Sequence, residues 1–263
     1  MRTLVVNADD FGFTRDVNAG IVRAHREGIL TATTLMANGA AFDDALRLAG
    51  ENPELDIGVH LQMVQGQSLS RPGELLPETL AQLILSIRNW DVMGELRMQV
   101  EKVLAAGLKP LHLDSHKHTH LLPKVLEAVA QLSREYRIPF VRRPFDLPMQ
   151  AGMKKRILRH GMKLMSGRFR RVLKKYGARS TDHFAGFVLT GDFRAEDLVD
   201  LFTQLPEGST EFMCHPGILG AELQAAPTRL KQSREMELAA LIDPRVREAL
   251  TLNGIRLTGY RGL

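Results

Sequence analysis

Short apolar runs rich in β-branched and aromatic residues alternate along the chain with stretches whose apolar residues recur every three or four positions. The runs predict strands at residues 3–7, 32–37, 56–61, 111–114, 140–142, 183–188, 210–214 and 256–258. Helices are predicted between them. One starts at a Thr14 cap, passes through Val17, Ile21, Val22 and Ala24, and stops at Gly28; others cover 41–49, 87–104, 123–134, 195–204 and 230–241. Strands that alternate with helices pair in parallel, because a parallel partner is reached through a crossover. The expected class is therefore α/β, with a (β/α) barrel-like fold of irregular outline. An open, doubly wound sheet has the same periodicity and stays open as the alternative. No repeat, low-complexity tract or linker interrupts residues 1–263, so one domain is expected.

Composition changes this picture in two places. The 263 residues are 44% apolar and suffice for a full core, and no run of about 18 uncharged apolar residues occurs that would span a bilayer. Residues 1–13 read as a first core strand rather than a signal peptide, and the single cysteine, Cys214, fits a reducing compartment. A cytoplasmic protein is expected. The net charge of +5 is local. Of the 35 basic residues, eleven lie between Met153 and Arg179, where no acid occurs, which leaves 24 basic against 30 acidic residues elsewhere. That distribution argues for a basic helical insertion at about 150–180 and against a nucleic-acid-binding surface. Within it Leu158, Met162, Met165, Phe169, Val172 and Tyr176 form an apolar stripe. Such a helix suits an anionic membrane surface at its inner face; a core-packed helix with a solvated basic side has the same pattern.

Chemistry gathers at the C-terminal ends of the predicted strands, where α/β folds build their sites. Asp9 and Asp10 follow the first strand, His60 ends the third, and His215 follows 210–214. The fourth strand opens a run with His112, Asp114, His116, His118 and His120 within nine residues. Residues two apart in an extended chain share a face, so several of these side chains can converge. One carboxylate and two imidazoles with open positions suit a divalent ion such as Zn²⁺, Fe²⁺ or Co²⁺, with Mg²⁺ also allowed. With two adjacent carboxylates, one can coordinate while the other takes a proton from water. His215 can protonate a leaving amine if its pKa is ordinary. Arg142 or Arg143, before Pro144, can orient Asp9 or hold a substrate oxygen. Trp90, Phe11, Phe13 and Tyr260 can stack on a sugar or simply pack in the core.

The segments Asn7-Ala8-Asp9-Asp10-Phe11-Gly12, Gly58-Val59-His60-Leu61, His112 to His120 and Met213-Cys214-His215-Pro216-Gly217 resemble, in order and spacing, the YdjC-like carbohydrate deacetylases. Among these the chain looks most like the hopanoid-biosynthesis-associated branch. The resemblance implies one divalent ion, Mg²⁺ or Zn²⁺, on Asp10, His60 and His116. It implies Asp9 as base and His215 as acid, with Asp114, His118, His120 and one of the two arginines supporting ligands or substrate. The implied reaction removes the N-acetyl group from an N-acetylglucosamine unit, borne by a hopanoid glycolipid or by a soluble chitooligosaccharide. A homodimer is a further expectation. Rival classes are a non-haem iron oxygenase, which also uses two histidines and a carboxylate, and a non-catalytic lipid-binding protein.

Overall fold

In the computed structural model, which describes residues 1–148 and 153–263, eight parallel strands form one sheet curled into a half-barrel and wrapped by helices. The chain runs β1 (Arg2–Phe11), α1 (Arg15–Glu27), β2 (Ala32–Leu35), α2 (Phe42–Glu51), β3 (Asp56–Leu61), α3 (Leu80–Ser86), α4 (Val92–Ala105) and β4 (His112–Ser115). It continues through α5 (Pro123–Glu135), β5 (Phe140–Val141), α6 (Met153–Leu164), α7 (Ser166–Tyr176), β6 (His183–Ala185), α8 (Ala195–Gln204) and β7 (Gly208–Cys214). Helices α9 (Ala221–Ala225), α10 (Gln232–Ile242) and α11 (Pro244–Leu252) precede β8 (Ile255–Leu257).

The strand order is β5-β4-β3-β2-β1-β7-β6, with β8 alongside the start of β1. The two outer regions approach each other through single parallel bridges, Phe140 to Arg179 and Asp146 to Phe184, so the outline is that of an irregular barrel. Leu4, Val5, Val6 and Ala8 of β1 are all fully buried, because helices and neighbouring strands cover both faces, as parallel strands require. The predicted caps are in place at α1. Thr14 Oγ1 accepts from the Val17 amide, and the Gly28 amide donates to the Ala24 carbonyl. Asp91 caps α4 through the Gly94 amide, which starts that helix five residues later than its apolar periodicity alone suggests.

The basic insertion folds as two helices, α6 and α7, rather than one. Phe169 and Leu173 of α7, with Met162 of α6, are buried in the main core, and Met165, Val172 and Tyr176 pack against it. The apolar stripe of α7 therefore serves the core and its basic side faces out, which is the second of the two readings of this segment. Residues 150–152 and the side chains of Lys154, Lys155 and Leu158 lie outside the described residues. Among the described residues, no helix is long and apolar enough to cross a membrane.

Candidate metal centre and active site

Strand register brings the polar residues together. Asn7 and Ala8 of β1 pair with Met213 and Cys214 of β7, which sets Asp9 beside His215. His60 of β3 pairs with Asp114 of β4, and Leu113 pairs with Val141 of β5, which sets Arg142 beside Asp114. A regular strand would point Asp9 and Asp10 to opposite faces. Here the β1–β2 register shifts between Ala8 and Phe11, and Asp10 has φ 70, a left-handed conformation that aspartate tolerates better than most residues. This bulge lets both carboxylates serve one site.

Asp10 Oδ1, His60 Nε2 and His116 Nδ1 converge. Asp10 Oδ1 lies 3.4 Å from His60 Nε2 and 3.2 Å from His116 Nδ1, and the two ring nitrogens are 3.4 Å apart. Asp10 Oδ1 is buried and has no hydrogen-bond partner among the described residues, so one oxygen of a buried carboxylate points at two imidazole nitrogens and nothing else. That donor set fits a divalent ion. Each histidine is fixed by its other nitrogen. His60 Nδ1 lies 2.7 Å from Asp114 Oδ1 and 3.2 Å from Thr34 Oγ1, and His116 Nε2 lies 3.1 Å from Gln65 Oε1. Carboxylate and amide partners of this kind set the ring orientation and tautomer of metal-binding histidines. Burial lowers the His60 pKa, but Asp114, Asp9 and Asp10 outweigh it and push it up to about 9, so proton and ion compete for Nε2. His116 enters the site from a tight turn in which Lys117 (φ 53) and His118 (φ 52) are both left-handed. Two such residues in sequence cost on the order of 1–3 kcal/mol each, a strain borne where the chain must swing a ligand inward.

A second group, Asp9, His60 and Asp114, has comparable spacing but a different occupant. Arg142 is buried; its two Nη atoms each donate at 2.7 Å to an oxygen of Asp9, Nη1 also lies 2.7 Å from Asp114, and Nε donates to Glu211 at 2.6 Å. Burial raises the Asp9 pKa, and Arg142, with His60 and His215, more than reverses this and holds the carboxyl well below the usual range. The choice the sequence left between two arginines is thereby resolved in space. Arg142 anchors the site, whereas the half-buried Arg143 donates to the Asp182 carbonyl away from it.

His215 Nε2 is 3.9 Å from Asp9 Oδ2, and its Nδ1 is buried without a hydrogen-bond partner among the described residues. Burial pushes its pKa down to about 4 despite Asp9 and Asp10. At that pKa the resting imidazole is neutral. His120 is structural, with Nδ1 2.6 Å from Ser115 Oγ and Nε2 3.2 Å from the Arg142 carbonyl. His112 sits below the site, 2.9 Å from Asn7 Oδ1 and stacked on Tyr260. Gly58 makes room for it, since a Cβ there would meet the His112 ring at 2.5 Å.

Above these groups opens a cavity of about 600 Å³, within the usual range for small-molecule sites. Asp9, Asp10, His60, His116 and His215 form its polar wall; Phe187, Met213 and Leu230 form an apolar one, and Lys117 and Arg229 also line it. His118 lines it beside Phe187. Of the aromatic residues considered for sugar stacking, none lines the cavity: Phe11, Trp90 and Tyr260 are buried in the core. Phe187, Gln65, Arg234 and Glu237 are parts of the site that the sequence did not single out. Only an acid-base pair three residues apart, Arg234 and Glu237 in a helix whose Leu238 and Leu241 are core residues, hints at the last two.

The sequence model of the YdjC-like protein family matches residues 3–252. A carbohydrate deacetylase of Geobacillus stearothermophilus is 32% identical over 99% of this chain and 97% of its own length. One from Vibrio vulnificus is 32% identical over 99% and 96%. A crystal structure from Enterococcus faecalis, described provisionally as a cellobiose-phosphate cleavage protein, superimposes with a TM-score of 0.80 at 25% identity, covering 99% of this chain and 98% of that one. Motif order, strand-end geometry and full-length similarity agree, and the chain belongs to the YdjC-like protein family.

Proposed function

We propose that the protein is a metal-dependent carbohydrate deacetylase that hydrolyses the N-acetyl group of an N-acetylglucosamine unit to acetate and a free amine. The observation that carries the reading is the orphaned Asp10 Oδ1, facing His60 and His116 in a cavity that also exposes Asp9 and His215. Relatives named carbohydrate deacetylases that match over nearly their whole length support the substrate class.

A divalent ion held by Asp10, His60 and His116 would polarise the amide carbonyl and lower the pKa of a water molecule; two imidazoles and one carboxylate suit Zn²⁺ better than Mg²⁺. Asp9 takes the proton of the attacking water. Arg142 occupies one lone pair on each Asp9 oxygen, and the remaining pair on Oδ2 is on the side nearest His215. As the C–N bond breaks, the departing nitrogen takes a proton by way of His215. Because that histidine is neutral at rest, it acts as a relay: it takes up the proton that Asp9, 3.9 Å away, has drawn from the water and passes it to the nitrogen. Phe187 supplies an apolar face for the sugar ring.

A lipid-linked acceptor, such as a hopanoid glycolipid, is the finer part of the proposal. Met153, Ile157 and Leu164 stand exposed on the basic helix α6, the arrangement that suits an anionic membrane surface. The oxygenase reading leaves Asp9, Arg142 and His215 without a task. Metal-loaded protein incubated with acetylated glucosaminyl lipid and with diacetylchitobiose should release acetate, faster from the lipid. No acetate from either would sink the deacetylase; acetate from chitobiose alone would sink the lipid acceptor.

A further inference from the structure

Helix α10 reaches the site from outside the strand ends, and two of its charged residues are almost fully buried: Arg234 and Glu237, each 1% exposed. They lie three positions apart and so share a helix face. Arg234 Nη2 donates at 2.5 Å to Asp10 Oδ2, the oxygen turned away from His60 and His116. Its Nε reaches the Leu230 carbonyl at 3.3 Å, which braces the guanidinium against its own helix. Glu237 accepts from the backbone amide of His215 at 2.5 Å and from that of Gly191 at 2.8 Å. Gly191 follows Thr190, a residue of the cavity wall. Gly217 leaves the passage for the arginine: a Cβ there would stand 3.1 Å from Arg234 Cδ, and the Gly217 amide donates to the Arg234 carbonyl.

The two contacts do different things. With Oδ2 engaged by Arg234, the oxygen that Asp10 turns to the two histidines is Oδ1, and the guanidinium weakens Oδ2 as a second donor. Glu237 holds His215 through the main-chain amide, at the point where β7 gives way to Pro216, and its Oε2 also stands 3.9 Å from the ring Nδ1, so it sets where the imidazole stands relative to Asp9. One helix face thus fixes the metal carboxylate by a side-chain contact and the acid histidine by a backbone contact.

We propose that Arg234 and Glu237 are positioning residues that act as one clamp: Arg234 enforces one-oxygen coordination by Asp10, and Glu237 sets the distance from His215 to Asp9. The clamp rests on the metal-site reading of Asp10, His60 and His116. It presents a two-point support rather than two separate structural ion pairs, since both residues project from one helical turn, one onto the metal carboxylate and the other onto the backbone of His215.

Co²⁺ distinguishes the roles, because its visible absorption weakens as coordination number rises. Cobalt binding and absorption are compared for the wild type, Arg234→Lys, Arg234→Met and Glu237→Gln, with acetate release measured alongside. Arg234→Met should bind Co²⁺ roughly 10–100-fold more weakly, the usual effect of removing a partner of a metal ligand, with a less intense spectrum as Oδ2 joins the ion. Arg234→Lys, which keeps a cation on Oδ2, should restore the intensity and most of the affinity. Glu237→Gln should leave cobalt affinity and spectrum unchanged and lower kcat roughly tenfold or more with little change in KM. Wild-type cobalt affinity and spectrum in Arg234→Met would overturn the arginine half, and an altered cobalt spectrum in Glu237→Gln would overturn the division of roles. A wild type that binds Co²⁺ with these variant effects but releases no acetate sinks the deacetylase and leaves the clamp standing.

Discussion

Two groups of three donors meet at the strand ends, and they share His60. Asp10, His60 and His116 face one another across 3.2–3.4 Å, while Asp9, His60 and Asp114 form a set of similar spacing one layer deeper. Spacing does not separate them, but the placement of the arginines does. The deeper set already holds a cation, since the Arg142 guanidinium touches both of its carboxylates at 2.7 Å. The outer set keeps one carboxylate oxygen unpaired, because Arg234 takes only Asp10 Oδ2. A cluster of metal-binding residue types becomes an ion site where a buried donor oxygen is left facing its fellow donors; where an arginine lies between the carboxylates, the same residues become scaffold.

The largest effect that could break this distinction comes from Asp10→Asn. Losing the charged oxygen should reduce acetate release by about 10³-fold or more, as expected when the ion that stabilises the developing oxyanion is lost. Zn²⁺ content after dialysis should fall in parallel, and a fully loaded, active variant would refute the outer site. Arg142→Met attacks the deeper set. With Asp9, Asp114 and Glu211 left buried without the guanidinium that joins them, stability should drop by about 3–5 kcal/mol in urea unfolding. Unchanged stability would mean that the arginine is not what neutralises them.

Asp114→Asn sits between the two sets, since Asp114 touches both His60 and Arg142. Zn²⁺ affinity measured with a competing chelator should weaken by roughly 10–100-fold while the fold persists. An unchanged affinity would show that His60 needs no carboxylate behind it. Arg143→Ala is the small control: its guanidinium serves the Asp182 carbonyl, so stability should move by no more than about 0.5 kcal/mol and acetate release by less than twofold. A loss comparable to that of Arg142 would put the anchoring role on the wrong arginine.

Much of this was legible in the residues. Buried parallel strands are short apolar runs, so β1, β3, β4 and β7 stand out, and polar residues just beyond such runs mark the rim. What sequence could not give is where register fails. The strand expected at 183–188 stops at Ala185, because the Phe187 and Val188 amides turn to donate to Asp146 instead of continuing the ladder. The bulge that turns Asp10 leaves no local composition signal. Arg234 and Glu237 carry no mark in the sequence beyond their three-residue spacing, and only the tertiary fold shows that α10 turns both inward. The lowered pKa of His215 depends on burial by residues far away in sequence.

Asp9 and Asp10 are neighbours in sequence with opposite assignments, one held by Arg142 for proton transfer and one left with a free oxygen for the ion. Measuring bound Zn²⁺ per chain together with acetate release for Asp9→Asn tests that assignment most directly. The account predicts one equivalent of Zn²⁺, as in the wild type, with acetate release reduced by about 10²-fold or more. Loss of the ion from Asp9→Asn, or acetate release at the wild-type rate, would contradict it.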